Sequence, residues 1–244
     1  MSIVLSLMLA VDIKLHAMAA YPRESCGFII GGHYEPVRNV AGDPLTGFKI
    51  QPGLFRPDIH SAIVHSHPDG PECPSAADMR GQRATAVPWV IVSTDGKRAG
   101  APFVLDPDAP ERPPLEGRPF RHGVTDCYSL LRDWFHMEQG IALPDYPRDW
   151  EWWKNGEDLY RKEFRGAGFQ ALGEAAVQRR GDVFLAQTPK SPAINHAGVY
   201  LGDGMAIHHL TGSDPFDPTY LSDVISVARW QNYIVRWLRH ESLT

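Results

Sequence analysis

The apolar run 3–11 opens an amphipathic first helix that ends near Tyr21-Pro22, where proline disfavours helical backbone before it. After it, the short apolar runs 27–31, 61–65 and 87–93, bounded by turn residues, predict buried strands. Over 126–139 the apolar residues Leu130, Leu131, Trp134 and Phe135 recur at helical spacing, and Gly140 supplies a stop. A second helical stretch is expected around 157–168. The pattern then switches to period two over 182–185, 196–201 and 205–210, which predicts a small antiparallel sheet following a helix.

Between these two patterned regions lies 106–119, where five of fourteen residues are proline and most others are charged. Such a segment has no apolar face to bury and reads as an extended linker. The expected organisation is therefore two α+β domains, 1–105 and 120–244, joined by 106–119, and limited proteolysis should cut in the linker first. At 244 residues and 43% hydrophobic, the chain has enough apolar side chains for two cores, which excludes disordered and fibrous classes. A net charge of -5 without a dense basic stripe argues against a nucleic-acid partner. The longest apolar run falls short of the roughly 18 residues a membrane span needs. Ala17-Met18-Ala19 resembles a signal cleavage site, but no Lys or Arg precedes the apolar run, and Asp12 and Lys14 follow it where a signal peptide would continue uncharged. Cys26, Cys73 and Cys127 are too few and too scattered for a disulfide framework.

The first chemical signal is His65-Ser66-His67-Pro68-Asp69-Gly70-Pro71-Glu72-Cys73-Pro74-Ser75-Ala76-Ala77-Asp78. On a strand, residues two apart share a face, so His65 and His67 can offer two imidazoles to one metal ion, with Asp78 as a third ligand. Three protein ligands leave a position for water, as in catalytic zinc sites. Ser75 is also a natural helix N-cap with Asp78 three residues on, and both roles can hold. With Glu24 upstream, these residues resemble the JAMM (or MPN) metalloprotease pattern, over roughly 10–105. The resemblance implies an N-terminal α/β domain with zinc on His65, His67 and Asp78, Glu24 as general base, and Ser75 stabilising the developing oxyanion.

The second signal is Cys127, which follows Thr125 and Asp126 where the 126–139 helix begins. The positive end of a helix is expected to lower the thiol pKa, making Cys127 a nucleophile if a histidine can take its proton. His196 begins the strand that runs into Gly202-Asp203-Gly204. With Asp203 at the turn centre, Gly198 lies opposite His208, and His196 and His208 share a face as diagonal neighbours; a turn shifted by one residue presents His209 instead. Asp126-Cys127-Tyr128-Ser129-Leu130, Gly181-Asp182-Val183, the His196 strand and His208 resemble the NlpC-type family of papain-like cell-wall peptidases, over roughly 120–240. That resemblance implies a papain-like α+β domain with Cys127 as nucleophile, His196 as general base within about 4 Å of the sulfur, His208 orienting His196, and peptidoglycan peptides as substrate.

The order of the two domains around a proline linker is similar to that of siphophage tail-tip proteins. It implies a virion tail-tip location, with other tail-tip or hub proteins as partners. Rival expectations are a structural tail component with unused sites and a protease that matures another tail protein. The aromatic cluster Trp150, Trp152 and Trp153 suits a sugar platform, although ordinary core packing is the simpler reading, and no site is assigned to it.

Overall fold

In the computed structural model, which describes residues 3–106, 112–189, 191–211 and 220–243, the chain divides into two units, Met1–Glu111 and Arg112–Thr244. Both are α+β. In the first unit Ser6 caps helix α1 (Leu7–Ala20), its hydroxyl accepting from the Leu9 N–H at 3.2 Å. Leu9, Ile13 and Ala17, four apart, form the buried face. The opposite face is not polar, as an amphipathic helix would have it: Leu7, Met8 and Leu15 are exposed.

The first sheet has the order β2-β1-β3-β4-β5, from β1 (Cys26–Ile30), β2 (His33–Val37), β3 (Ala62–Pro68), β4 (Trp89–Thr94) and β5 (Phe103–Leu105). Parallel pairing of β3 with β4 requires a crossover, which helix α2 (Ala76–Thr85) supplies. The buried α1 side chains pack on Ile29, Val64, Val90 and Val92, and Phe28, Ile63 and Trp89 form a second cluster. The His65-Ser66-His67 to Asp78 motif thus spans the end of a central strand and the start of the crossover helix.

The second unit opens its sheet with α3 (Cys127–Gln139), capped at one end by Asp126, which accepts from Ser129 N–H at 2.9 Å, and ended by Gly140 at φ +67°. The expected helix around 157–168 contracts to α4 (Leu159–Glu163), followed by turns up to Gly168. The sheet order is β10-β9-β8-β7-β11-β6. Its strands are β6 (Phe169–Ala171), β7 (Val183–Ala186), β8 (His196–Gly202), β9 (Met205–His208), β10 (Asp223–Ser226) and β11 (Ile234–His240). The apolar α3 residues named above pack on Val183, Leu185, Ala197, Val199 and Leu238. On the other face of the sheet Gly198 leaves room for Phe184, since a Cβ there would lie 2.5 Å from the Phe184 ring.

The expected linker needs a correction at its downstream end. Residues 107–111 lie outside the described residues, but 113–119 are part of the second unit. Arg118 is fully buried and donates to Asp133 Oδ2 at 2.7 Å, to the Pro114 carbonyl at 2.7 Å and to the Pro113 carbonyl at 2.9 Å. Its backbone N–H donates to Ser222 Oγ at 3.0 Å, and Arg112 also pairs with Asp133. Proline density marked the absence of helix or strand, while the guanidinium satisfied the carbonyls that prolines leave unpaired. Arg118→Ala should destabilise the second unit by about 3 kcal/mol, because it leaves a buried carboxylate and two carbonyls short of donors. Urea denaturation of the full chain checks this, and a loss below about 1 kcal/mol would contradict it.

Candidate functional sites: a histidine-aspartate cluster and a cysteine-histidine cavity

Period two on β3 places His65 and His67 on one face, their Nε2 atoms 3.0 Å apart. Asp78, in the first turn of α2, brings Oδ1 to 3.2 Å from His65 Nε2 and Oδ2 to 3.3 Å from His67 Nε2. The capping box fixes that carboxylate: Ser75 Oγ donates to Asp78 Oδ2 at 2.7 Å, Ser75 N–H donates to it at 2.8 Å, and Asp78 N–H returns a bond to Ser75 Oγ at 3.1 Å. The Ser75 hydroxyl is therefore engaged in positioning Asp78. His67 Nδ1 lies 2.7 Å from the Pro71 carbonyl, so it carries the hydrogen and leaves the Nε2 lone pair facing the cluster. Phe48 stacks on the His65 ring, with centroids 4.5 Å apart.

These donors fit a zinc-type ion. Bonds of about 2.0–2.1 Å in a tetrahedron set neighbouring ligand atoms about 3.3 Å apart, close to the spacing of the two Nε2 atoms and of each from its nearer Asp78 oxygen. Burial alone would raise the Asp78 pKa, but the two imidazoles hold it well below the usual carboxylate range. Burial lowers His65, while His67 is raised because the Asp78 carboxylate outweighs burial there.

Glu24 is buried just ahead of β1, its N–H donating to the Pro44 carbonyl at 2.8 Å and its carbonyl accepting from Asn39 Nδ2 at 3.0 Å. Ser66, between the two histidines, points the other way and bolts this segment to β3: its Oγ accepts from Ser25 N–H at 2.8 Å. Sequence reading missed that role, though alternation along the strand signals it. Burial pushes Glu24 up to about 7, with His67 opposing and the Asp78 charge adding to the rise. A carboxyl titrating near neutrality is suited to exchange protons.

In the second unit the β8–β9 hairpin turns at Asp203 and Gly204, φ +50° and +73°, and pairs Gly198 with His208. His208 accordingly meets His196 diagonally, with His208 Nδ1 2.9 Å from His196 Nε2. His209 faces elsewhere, its Nε2 3.3 Å from the Tyr220 carbonyl. With Nε2 committed to His208, Nδ1 is the His196 nitrogen left to take a proton. Trp230 packs beside both rings, its centroid 4.8 Å from that of His196 and 5.0 Å from that of His208.

Cys127 stands at the first turn of α3, partly exposed, but among the described residues its thiol hydrogen bond goes to Tyr160 Oη at 3.2 Å and not to His196. The expected Cys127–His196 contact is thus a cavity-sharing neighbourhood here, not a bond. The expected low thiol pKa is reversed. Burial first, then the adjacent Asp126 charge, push Cys127 up to about 11, against the Tyr160 hydroxyl and the Ala197 N–H. Asp126 keeps its charge because Arg148, itself buried, clamps both carboxylate oxygens at 2.8 Å. Burial also holds His196 well below the ordinary histidine value, so the resting pair is neutral thiol and neutral imidazole. Alkylation of Cys127 by iodoacetamide should therefore be slow at pH 7 and rise about tenfold per pH unit toward pH 11, since thiolate is the reactive form. A plateau near neutrality would contradict it. Cys127 should still label before Cys26 and Cys73, both buried.

Tyr160 and Arg148 carry no local signature, and only folding brings them to the thiol. The thiol opens on a cavity of about 650 Å³ that also holds His196, Tyr160 and the tryptophan cluster. Trp152 is buried, consistent with packing, but Trp150 and Trp153 are half-buried and line the cavity.

Comparison with known proteins finds a family for each unit. Residues 117–239 match the NlpC/P60 family, and residues 9–104 match the prokaryotic homologs of the JAB domain. Tail tip assembly protein K of Escherichia phage N15 is 35% identical over 210 residues, covering 82% of this chain and 83% of the relative. Tail tip assembly protein K of Escherichia phage lambda is 40% identical over 151 residues, 61% of this chain and 69% of the relative. A probable TtuB-protein conjugate cleaving protease of Thermus thermophilus is 34% identical over 101 residues, 36% of this chain and 68% of that protein. With a JAB-type unit ahead of an NlpC/P60 unit, and likeness to the N15 protein over most of both chains, this chain belongs to the tail tip assembly protein K family.

Proposed function

We propose that the second unit is a cysteine endopeptidase acting on peptide bonds of peptidoglycan, carried at the tip of a phage tail. The observation that supports it best is the shared cavity of Cys127 at a helix start and a His196–His208 pair. In this reading His196 Nδ1 takes the thiol proton as Sγ bonds to the scissile carbonyl carbon, and His208, through Nε2, holds the ring in place. The Tyr160 hydroxyl and the Ala197 N–H, both next to the sulfur, are placed to donate to the carbonyl oxygen as it gains charge. His196 then returns the proton to the leaving amine, and water releases the acyl group from sulfur. Because the resting pair is neutral, proton transfer accompanies attack rather than preceding it.

The first unit reads as a zinc metallopeptidase-like domain, with His65, His67 and Asp78 holding the ion. Zinc there would polarise a carbonyl and lower the pKa of water. Glu24 acts as the proton acceptor and donor, and Ser75, whose one hydroxyl hydrogen goes to Asp78 Oδ2 here, would have to turn from Asp78 to serve a developing oxyanion. The two units are proposed as separate domains, the second including 113–119, with partners among other tail-tip or hub proteins and action at the host cell wall. Digestion of purified peptidoglycan by the chain tests the reading. The word assembly in the relatives' names favours a second reading, a protease maturing another tail protein. That reading expects blank peptidoglycan digests together with unprocessed tail protein in Cys127 or Glu24 variants. Among the described residues no helix is long and apolar enough to cross a membrane.

A further inference from the structure

One wall of the Cys127 cavity is built from tryptophans that the cysteine chemistry does not use. Trp152 is buried, its ring centroid 6.0 Å from that of Tyr160, whose hydroxyl touches the thiol. It supports Trp153 edge-on at 5.5 Å, and Trp150 stands 6.2 Å from Trp153 at 69°. Two half-buried indoles on a firm base offer apolar surface to whatever enters the cavity.

The charges on the described lining point to the chemistry of that occupant. Asp126 is paired with Arg148, Glu151 with Lys154 at 2.5 Å, and Glu163 with Lys162 at 3.4 Å. These described lining charges already have partners, so they offer an ionic ligand group no unpaired counter-charge. The remaining polar lining includes the neutral side chains of Thr188 and Asn195, bonded to one another, and Ser191, which donates to the Ala193 carbonyl; their remaining lone pairs and amide hydrogen are what a ligand can use. Indole faces together with neutral hydroxyl and amide groups suit a sugar ring, which has an apolar C–H face and a rim of hydroxyl and acetamido groups. At about 650 Å³ the cavity lies within the usual range of small-molecule sites and has room for a sugar beside a short peptide.

We propose that the Trp150–Trp153 wall is a glycan subsite that holds an N-acetyl sugar still attached to the peptide lying over Cys127. The proposal deepens the reading of this unit as a peptidoglycan peptidase and rests on it. Its consequence is a preference for peptides that carry their sugar over the same peptides released from glycan.

Binding and cleavage should be measured separately on the full chain. In the first arm, Cys127→Ala protein is titrated with an N-acetylglucosaminyl-N-acetylmuramoyl peptide and with the identical peptide lacking the disaccharide, by calorimetry. The sugar-bearing ligand should bind about tenfold tighter, the worth of one good aromatic contact. Adding Trp153→Ala or Trp150→Ala should erase that difference and leave affinity for the bare peptide unchanged. In the second arm, wild-type kcat/KM is compared for the same two substrates. Absence of a sugar-dependent difference, whether both ligands bind or neither does, overturns the subsite. So does a difference that survives both tryptophan replacements, or a loss of bare-peptide binding in them, which would mark the tryptophans as packing alone. Sugar-dependent binding without cleavage of either substrate overturns the peptidase reading and leaves the subsite standing.

Discussion

Cys127→Ala is expected to lower release of peptides from purified peptidoglycan by about 10⁴-fold or more, because loss of a nucleophile removes the covalent route and leaves only binding and oxyanion stabilisation. The structure makes this variant a clean test. Cys127 is partly exposed and its removal loses the sulfur's bonds with the Tyr160 hydroxyl and the Ala197 N–H, while the Asp126 cap and the Arg148 clamp stay in place. The fold should therefore survive, and an unchanged melting temperature beside lost turnover is the expected pair of results. His196→Ala should fall nearly as far, since neutral thiol near pKa 11 needs an acceptor for its proton. Tyr160→Phe should cost less, about 10²-fold in kcat, in line with loss of one oxyanion donor. Equal digestion by wild type and Cys127→Ala would end the cysteine-peptidase reading whatever the behaviour of the other two.

The second large effect concerns metal. The wild-type chain is expected to bind one zinc per molecule, and His67→Ala or Asp78→Ala to bind it at least about 100-fold more weakly, more than outer-sphere changes usually cost. The reason lies in the two Nε2 atoms, 3.0 Å apart and each 3.2–3.3 Å from one oxygen of the Asp78 carboxylate, held by a strand, a helix cap and the Pro71 carbonyl before any ion arrives. Zinc should also raise the melting temperature of the wild type, since an ion that binds only the folded state stabilises it by mass action. Neither effect should appear in His67→Ala. Metal analysis and calorimetry check both, and less than about half an equivalent in zinc-supplemented wild type would remove the assignment.

Local pattern alone determined much of this protein. Period two on the His65 strand puts its two imidazoles on one face, and the Ser75 cap places Asp78 in the first helical turn; both follow from spacing. The α3 start at Asp126 and its stop at Gly140 were equally legible, as was a turn at Asp203, whereas the register shift between Tyr200 and Gly202 that brings His208 opposite Gly198 and so beside His196 was not. Each legible feature depends on residues within about a dozen positions of one another, where backbone geometry leaves few choices.

What tertiary structure decided are the long-range consequences. Tyr160 reaches the thiol from a short helix with no motif, and Arg148 reaches Asp126 from a segment without regular structure. The linker's end folds onto the second unit because Arg118 meets Asp133 and Ser222, partners 15 and 104 residues away. The thiol pKa turned out opposite to expectation for the same reason. A helix start favours thiolate wherever it occurs in sequence, but burial and the charge of Asp126 depend on what packs around it. Spacing fixes which side chains can share a face, whereas desolvation and charge pairing are properties of the assembled core, and no local pattern encodes them.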